Sequence, residues 1–139
     1  MERANHIIDK MSEWPSSWQG EEADLPKGNE IVSVFSRFLE FLVESGLAQR
    51  TIRCHADNLW LLGGEIIRDI NMYPEKRRKT AFNLVDKAVC NEGGPLSRHL
   101  ESETEKKSFD ATCRKLHAFL ETQRRHLTKR SIPPAAPHR

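Results

Sequence analysis

The 139-residue chain predicts an all-α fold, a compact bundle of four main helices. Three observations support that reading. Apolar residues recur at steps of three and four through four separate stretches, the 3.6-residue period of amphipathic helices. Nowhere does the chain alternate apolar and polar residues as a half-buried strand would. Between the periodic stretches lie residues that end helices: Gly46, Pro74 and Gly93-Gly94-Pro95.

Residues 1–28 precede the first periodic stretch and read as an extended acidic arm anchored by Met11, Trp14 and Trp18. Two tryptophans carry too much apolar area to be left in water, so they are expected to pack back over the helices. Glu21, Glu22 and Asp24 read as solvated, and Pro26 and Gly28 as punctuation before the bundle. Asn29 is the expected N-cap of a helix over 30–45, with Val34, Phe35, Phe38, Phe41, Leu42 and Val43 on its apolar face. Gly46 closes it, because only glycine enters the left-handed region without a Cβ clash.

The second core helix starts near Arg50 or Thr51, where Arg53 and Asp57 have the spacing of an ion pair. It turns Ile52, Ala56, Leu59, Trp60, Gly63, Ile66, Ile67 and Ile70 inward. Gly63 and Gly64 sit in its middle, each costing about 1 kcal/mol against alanine, which predicts a tight crossing or a kink. Pro74 ends the pattern. Thr80 then caps a shorter helix over 81–91, with Phe82, Val85, Ala88 and Val89 on one face. Ser102 and Glu105 form a capping box opening a fourth helix, which runs on Phe109, Thr112, Cys113, Leu116, Phe119 and Leu120 to about Leu127. The domain therefore spans 29–127, and the basic, proline-rich tail 128–139 has no core-forming pattern and is expected to be disordered.

At 37% apolar and 30% charged residues, the chain builds a small core under a highly polar surface. No window reaches the roughly 18 apolar residues that span a bilayer, and the N-terminus lacks the apolar region of an export signal. A cytoplasmic location without a membrane partner is expected. Cys54, Cys90 and Cys113 are odd in number and far apart, so they make neither a disulfide framework nor a metal-binding pair. Each lies beside an apolar pattern and reads as a small buried thiol. Residues 1–30 carry a net charge of −4 and the remainder +6, an asymmetry that points to a polyanionic partner for the body.

No catalytic residue, metal site, cofactor or small-molecule substrate is expected. His6, His55, His99, His117, His126 and His138 are scattered, without zinc-ligand spacing. Gly63-Gly64 and Gly93-Gly94 lack the strand context and the Lys-Ser/Thr ending of a phosphate loop.

The run from Gly46 to His55 resembles the opening of the second helix in the N-terminal core-binding domain of tyrosine recombinases, a SAM-like helical fold. That family shows an aromatic-rich first helix ending in glycine, then (G)LS-x-x-T-x-x-x-Y-x-x-x-L. Here Phe38-Leu39-Glu40-Phe41-Leu42 is similar to the first part, and Thr51 and Leu59 fit the second. The stretch from Thr112 to Leu120 is similar to the family's last core-binding helix. Ala48 and His55 stand where the family prefers Ser and Tyr. The resemblance covers roughly residues 30–122. The family's catalytic domain needs a His-x-x-Arg set and a tyrosine nucleophile, whereas the single tyrosine here, Tyr73, precedes a proline.

The resemblance implies a non-catalytic module that binds double-stranded DNA through its second and fourth core helices. It places Arg50, Thr51, Arg53, Asn58, Lys107, Arg114 and Lys115 near the duplex. Lys76, Arg77, Arg78, Lys79, Arg124 and Arg125 would add phosphate contacts. The alternative is a helical adaptor for a protein partner, docking through the Trp14/Trp18 arm or through an open apolar face.

Overall fold

The computed structural model describes residues 6–7, 9–97 and 99–131. Among them the chain is all-α, with one isolated β-bridge between Cys90 and Gly93. A 3-10 turn at Met11–Glu13 leads into α1 (Trp14–Trp18), followed by α2 (Asp24–Glu44) and α3 (Gln49–Met72). A 3-10 segment at Pro74–Arg78, α4 (Ala81–Ala88) and α5 (Glu103–Ser131) complete the order. No helix among the described residues is long and apolar enough to cross a membrane.

The core is aromatic where α2, α3 and α5 converge. Phe35, Phe38 and Phe109 are fully buried beside Leu59, Leu62, Ile67, Leu116 and Leu120. Phe119 of α5 meets Phe38 at 5.6 Å and Phe41 at 5.2 Å between ring centres, both tilted, the geometry that aromatic quadrupoles favour. The α2–α3 turn follows its sequence signal: Gly46 takes φ +86°, which turns the chain so that the Leu47 N–H reaches back to the Leu42 carbonyl at 3.4 Å. Thr80 caps α4 by accepting from the Asn83 N–H at 3.1 Å. The capping box is closed too: Ser102 Oγ accepts from Glu105 N at 3.1 Å, and Glu105 Oε1 accepts from Glu101 N at 2.8 Å and Ser102 N at 3.3 Å.

The N-terminal stretch departs from the extended arm that was expected. Residues 11–18 and 24–28 are helical, and Met11 and Pro15 are buried. The tryptophans explain the difference, since they find a seat on the bundle as expected. The Trp18 ring lies against Gly63 and edge-on to Phe35 at 6.4 Å, and its Nε1 donates to the Trp60 carbonyl at 2.9 Å. Trp60, expected on the inward face, is instead 41% exposed at the edge of this seat, where its Nε1 donates in return to Ser17 Oγ at 2.9 Å. The glycine pair in α3 therefore admits an indole ring, not a second backbone.

Asp24, expected to be solvated, is 1% exposed and joins four segments. Its Oδ2 accepts from Gly20 N (2.8 Å), Glu21 N (3.0 Å) and Asn71 Nδ2 (3.0 Å), and its Oδ1 accepts from Arg77 at 2.9 Å. That cluster fixes where α2 begins, six residues before the expected start. Pro26 is accommodated because the first turn of a helix needs no N–H there. Asn29 consequently lies inside α2, exposed, and caps nothing. At the other end, α4 stops at Ala88 where the Cys90–Gly93 bridge takes over, short of the expected Asn91. α5 continues to Ser131, past the expected limit, so 128–131 are helical, and the rest of the expected tail lies outside the described residues.

The cysteines divide. Cys113 is buried, as expected, and burial pushes its thiol up to about 12, which keeps it protonated and inert. Cys54 and Cys90 are exposed, contrary to expectation: Cys54 lies on the solvent edge of a helix seam and Cys90 in the bridge loop.

Candidate nucleic-acid interface

The interface implied by the sequence rests on the second and fourth core helices, α3 and α5. They pack antiparallel, because His55 meets Thr112 while Asn58, further along α3, meets Ser108, earlier in α5. The seam between them is polar. Asn58 Nδ2 donates to Thr112 Oγ1 (2.8 Å), to the Ser108 carbonyl (3.1 Å) and to Ser108 Oγ (3.1 Å). His55 Nδ1 lies 2.7 Å from Thr112 Oγ1. Asn58 is thus 8% exposed, with its amide committed to α5, and the structure removes it from the DNA-facing set.

His55 falls on the inward stripe of α3 at 6% exposure, and its Nε2 has no partner among the described residues. Burial, reinforced by the nearby Lys115 charge, lowers its pKa below the ordinary 6.5. The unfolded chain therefore takes up this proton more readily than the folded one, so stability falls as pH drops below about 6.5. We expect the urea midpoint to decrease between pH 7.5 and 5.5, and a His55→Gln variant to show a smaller decrease. Equal decreases in both proteins would assign the effect to other groups.

The remaining expected contacts are exposed side chains: Arg50, Thr51 and Arg53 in the first turns of α3, and Lys107, Arg114 and Lys115 on α5. None of the five cations makes an ion pair among the described residues, and Arg53 and Asp57 do not form the pair their spacing allows. Ala48 holds the N-cap of α3 without a side-chain bond, leaving the first N–H groups of the helix without a side-chain acceptor. Lys115 belongs beside the seam, close enough for its charge to act on His55. Arg53 sits on the other flank of α3, lining a depression with His6, Lys10, Trp14 and Asp57. The basic surface therefore wraps α3 instead of forming one flat patch.

The additional phosphate contacts fare differently. Lys76 pairs with Asp69, Arg77 with Asp24 and Glu21, and Arg124 with Asp86 at 2.6 Å. These three cations are tied within the fold: Arg77 completes the Asp24 cluster and Arg124 ties α5 to α4. Arg78, Lys79 and Arg125 remain exposed, without ion pairs among the described residues. Sequence reasoning missed both polar clusters. For the seam a signal existed, since His55 falls three residues after Ile52 on the apolar stripe. For Asp24 there was none, because its side-chain partners, Asn71 and Arg77, come from 47 and 53 residues away.

No family model, curated protein or solved structure matches the chain.

Proposed function

We propose that this chain is a non-catalytic DNA-binding module, similar to a recombinase core-binding domain, that contacts duplex phosphates through the exposed cations of α3 and α5. The observation carrying the proposal is the set Arg50, Arg53, Lys107, Arg114 and Lys115. All five are exposed and, among the described residues, without an internal counter-charge, on two helices held side by side by a buried seam. An unpaired surface guanidinium or ammonium is free to replace a counterion on a phosphate, which Lys76, Arg77 and Arg124 are not. The uncapped start of α3, with Thr51 beside it, adds N–H donors of the kind that bind phosphate oxygens. Duplex phosphate recognition of this kind positions the protein and needs no chemistry from it.

The adaptor alternative loses one of its two supports, because Trp14 and Trp18 are spent on the fold itself.

The test is fluorescence anisotropy of a labelled duplex at rising salt. Each phosphate contact contributes about −0.9 to the slope of log Kobs against log salt, so five contacts give a slope of about −4 to −5. Arg50→Ala/Arg53→Ala and Arg114→Ala/Lys115→Ala are each expected to weaken binding and flatten that slope by about 2. Absence of binding at low salt, or a slope unchanged in both variants, would overturn the proposal.

A further inference from the structure

At the far end of α3 from Arg50, about 28 Å away by helix rise, a groove of about 560 Å³ runs between α3, the 3-10 segment, α4 and the loop at Pro95. Its apolar lining comes from Ile66, Met72, Leu84, Ala88 and Pro95. Four cations also line it. Arg68 is paired with Glu65 and Lys76 with Asp69, while Lys79 and Lys87 have no ion-pair partner among the described residues. The lining therefore carries a net charge of +2 over an apolar floor.

Three of the five large apolar side chains exposed among the described residues lie in or next to this lining. Met72 in the lining is 65% exposed, its neighbour Tyr73 is 47% exposed, and Leu96 next to Pro95 is 90% exposed. A small ligand inside the groove would reach Met72 but leave Tyr73 and Leu96, which lie beyond the lining, in water. A segment laid along the groove would cover them and bring carboxylates to Lys79 and Lys87. A phosphate backbone, by contrast, gains nothing from Ile66, Leu84 and Met72.

We propose that this groove is a docking site for an acidic amphipathic peptide segment of a partner protein, with apolar side chains toward Met72 and Leu84 and carboxylates toward Lys79 and Lys87. Apolar anchors would supply the affinity and the two lysines the orientation and selection against basic segments. The groove shares no residue with the α3–α5 DNA surface proposed above, so the two proposals stand or fall separately.

The test uses a fluorescein-labelled peptide of about 16 residues, with leucines at helical spacing and glutamates between them. Two control peptides replace its leucines by serine or its glutamates by lysine. The full chain is expected to bind the Glu/Leu peptide and neither control. Lys79→Glu/Lys87→Glu, both surface changes, should weaken that binding at least about tenfold at low salt and admit the lysine peptide. Met72→Glu should weaken it as well, and Arg50→Ala/Arg53→Ala should leave it unchanged. Failure of the Glu/Leu peptide to bind, or binding indifferent to both groove variants in proteins with wild-type circular dichroism, would overturn the proposal. Displacement of the peptide by duplex DNA from the Arg50→Ala/Arg53→Ala protein would reassign the groove to nucleic acid.

Discussion

Replacing Asp24 with alanine is expected to lower the unfolding free energy by about 3 kcal/mol, the scale for removing one partner of a buried charge pair. The carboxylate is 1% exposed and accepts four hydrogen bonds, from Gly20, Glu21, Asn71 and Arg77. Without it two backbone N–H groups lose their acceptor at the α1–α2 turn. The last turn of α3 and the 3-10 segment also lose their common anchor. Asp24→Asn keeps the shape but sets its own N–H₂ group against donors, so it should recover only part of the loss.

A pH signature accompanies the substitution. Burial alone would raise the Asp24 carboxyl, but the hydrogen bonds from Asn71, Gly20, Glu21 and Arg77 outweigh it and hold the pKa below the ordinary 3.8. A depressed carboxyl contributes its full stability above the unfolded value and loses it as pH falls toward the folded one. Urea denaturation at pH 7 and near pH 3 should therefore show a smaller gap between wild type and Asp24→Ala in acid. An unchanged midpoint at pH 7 would mean that the four segments are held without this carboxylate.

The second large effect is a sign reversal at Gly63. Trp18→Ala should cost about 3 kcal/mol, at the low end for a buried aromatic because the ring is partly exposed. It uncovers Gly63 and part of Phe35, and it frees the Trp60 carbonyl of its indole donor. In the wild-type protein, Gly63→Ala would bring a Cβ within 3.0 Å of atoms of the six-membered ring of Trp18, so the ring must shift. The overpacking cost exceeds the helix preference for alanine, leaving a net loss of about 1–2 kcal/mol. With Trp18 already truncated the obstruction is gone, and Gly63→Ala should stabilise by up to about 1 kcal/mol. A double-mutant cycle by urea denaturation measures the coupling, expected at about 2–3 kcal/mol. Additive effects would show that the ring does not rest on the glycine.

These two clusters also mark where the sequence was readable and where it was not. Helix class, the Gly46 turn, the Thr80 cap and the Ser102/Glu105 capping box are local signals. Each depends on residues within four positions, and each stands in the structure. The start of α2 was misplaced because it is set by Asp24, whose partners arrive from α3 and the 3-10 segment. Glu-Glu-Ala-Asp has the composition of a solvated loop, and nothing within it tells the last acid from the first two. The site was readable only as a set of cations. Their exposure follows from helix periodicity, but pairing does not, so Arg50 and Arg77 look alike in sequence. One is free at the surface, while the other is bound to a buried carboxylate.

Apolar packing alone would tolerate a slide of α5 along α3, since one leucine meets another much as well as the next. The His55–Thr112 and Asn58–Ser108 contacts do not tolerate it. A shift of one turn, about 5.4 Å, would strand a buried amide, an imidazole and a hydroxyl at once. The seam thus acts as a ruler. It sets the register of Arg50 and Thr51 on α3 against Arg114 and Lys115 on α5 independently of how the leucines settle. Replacing both Asn58 and Thr112 by leucine would keep the helices together and lose the gauge.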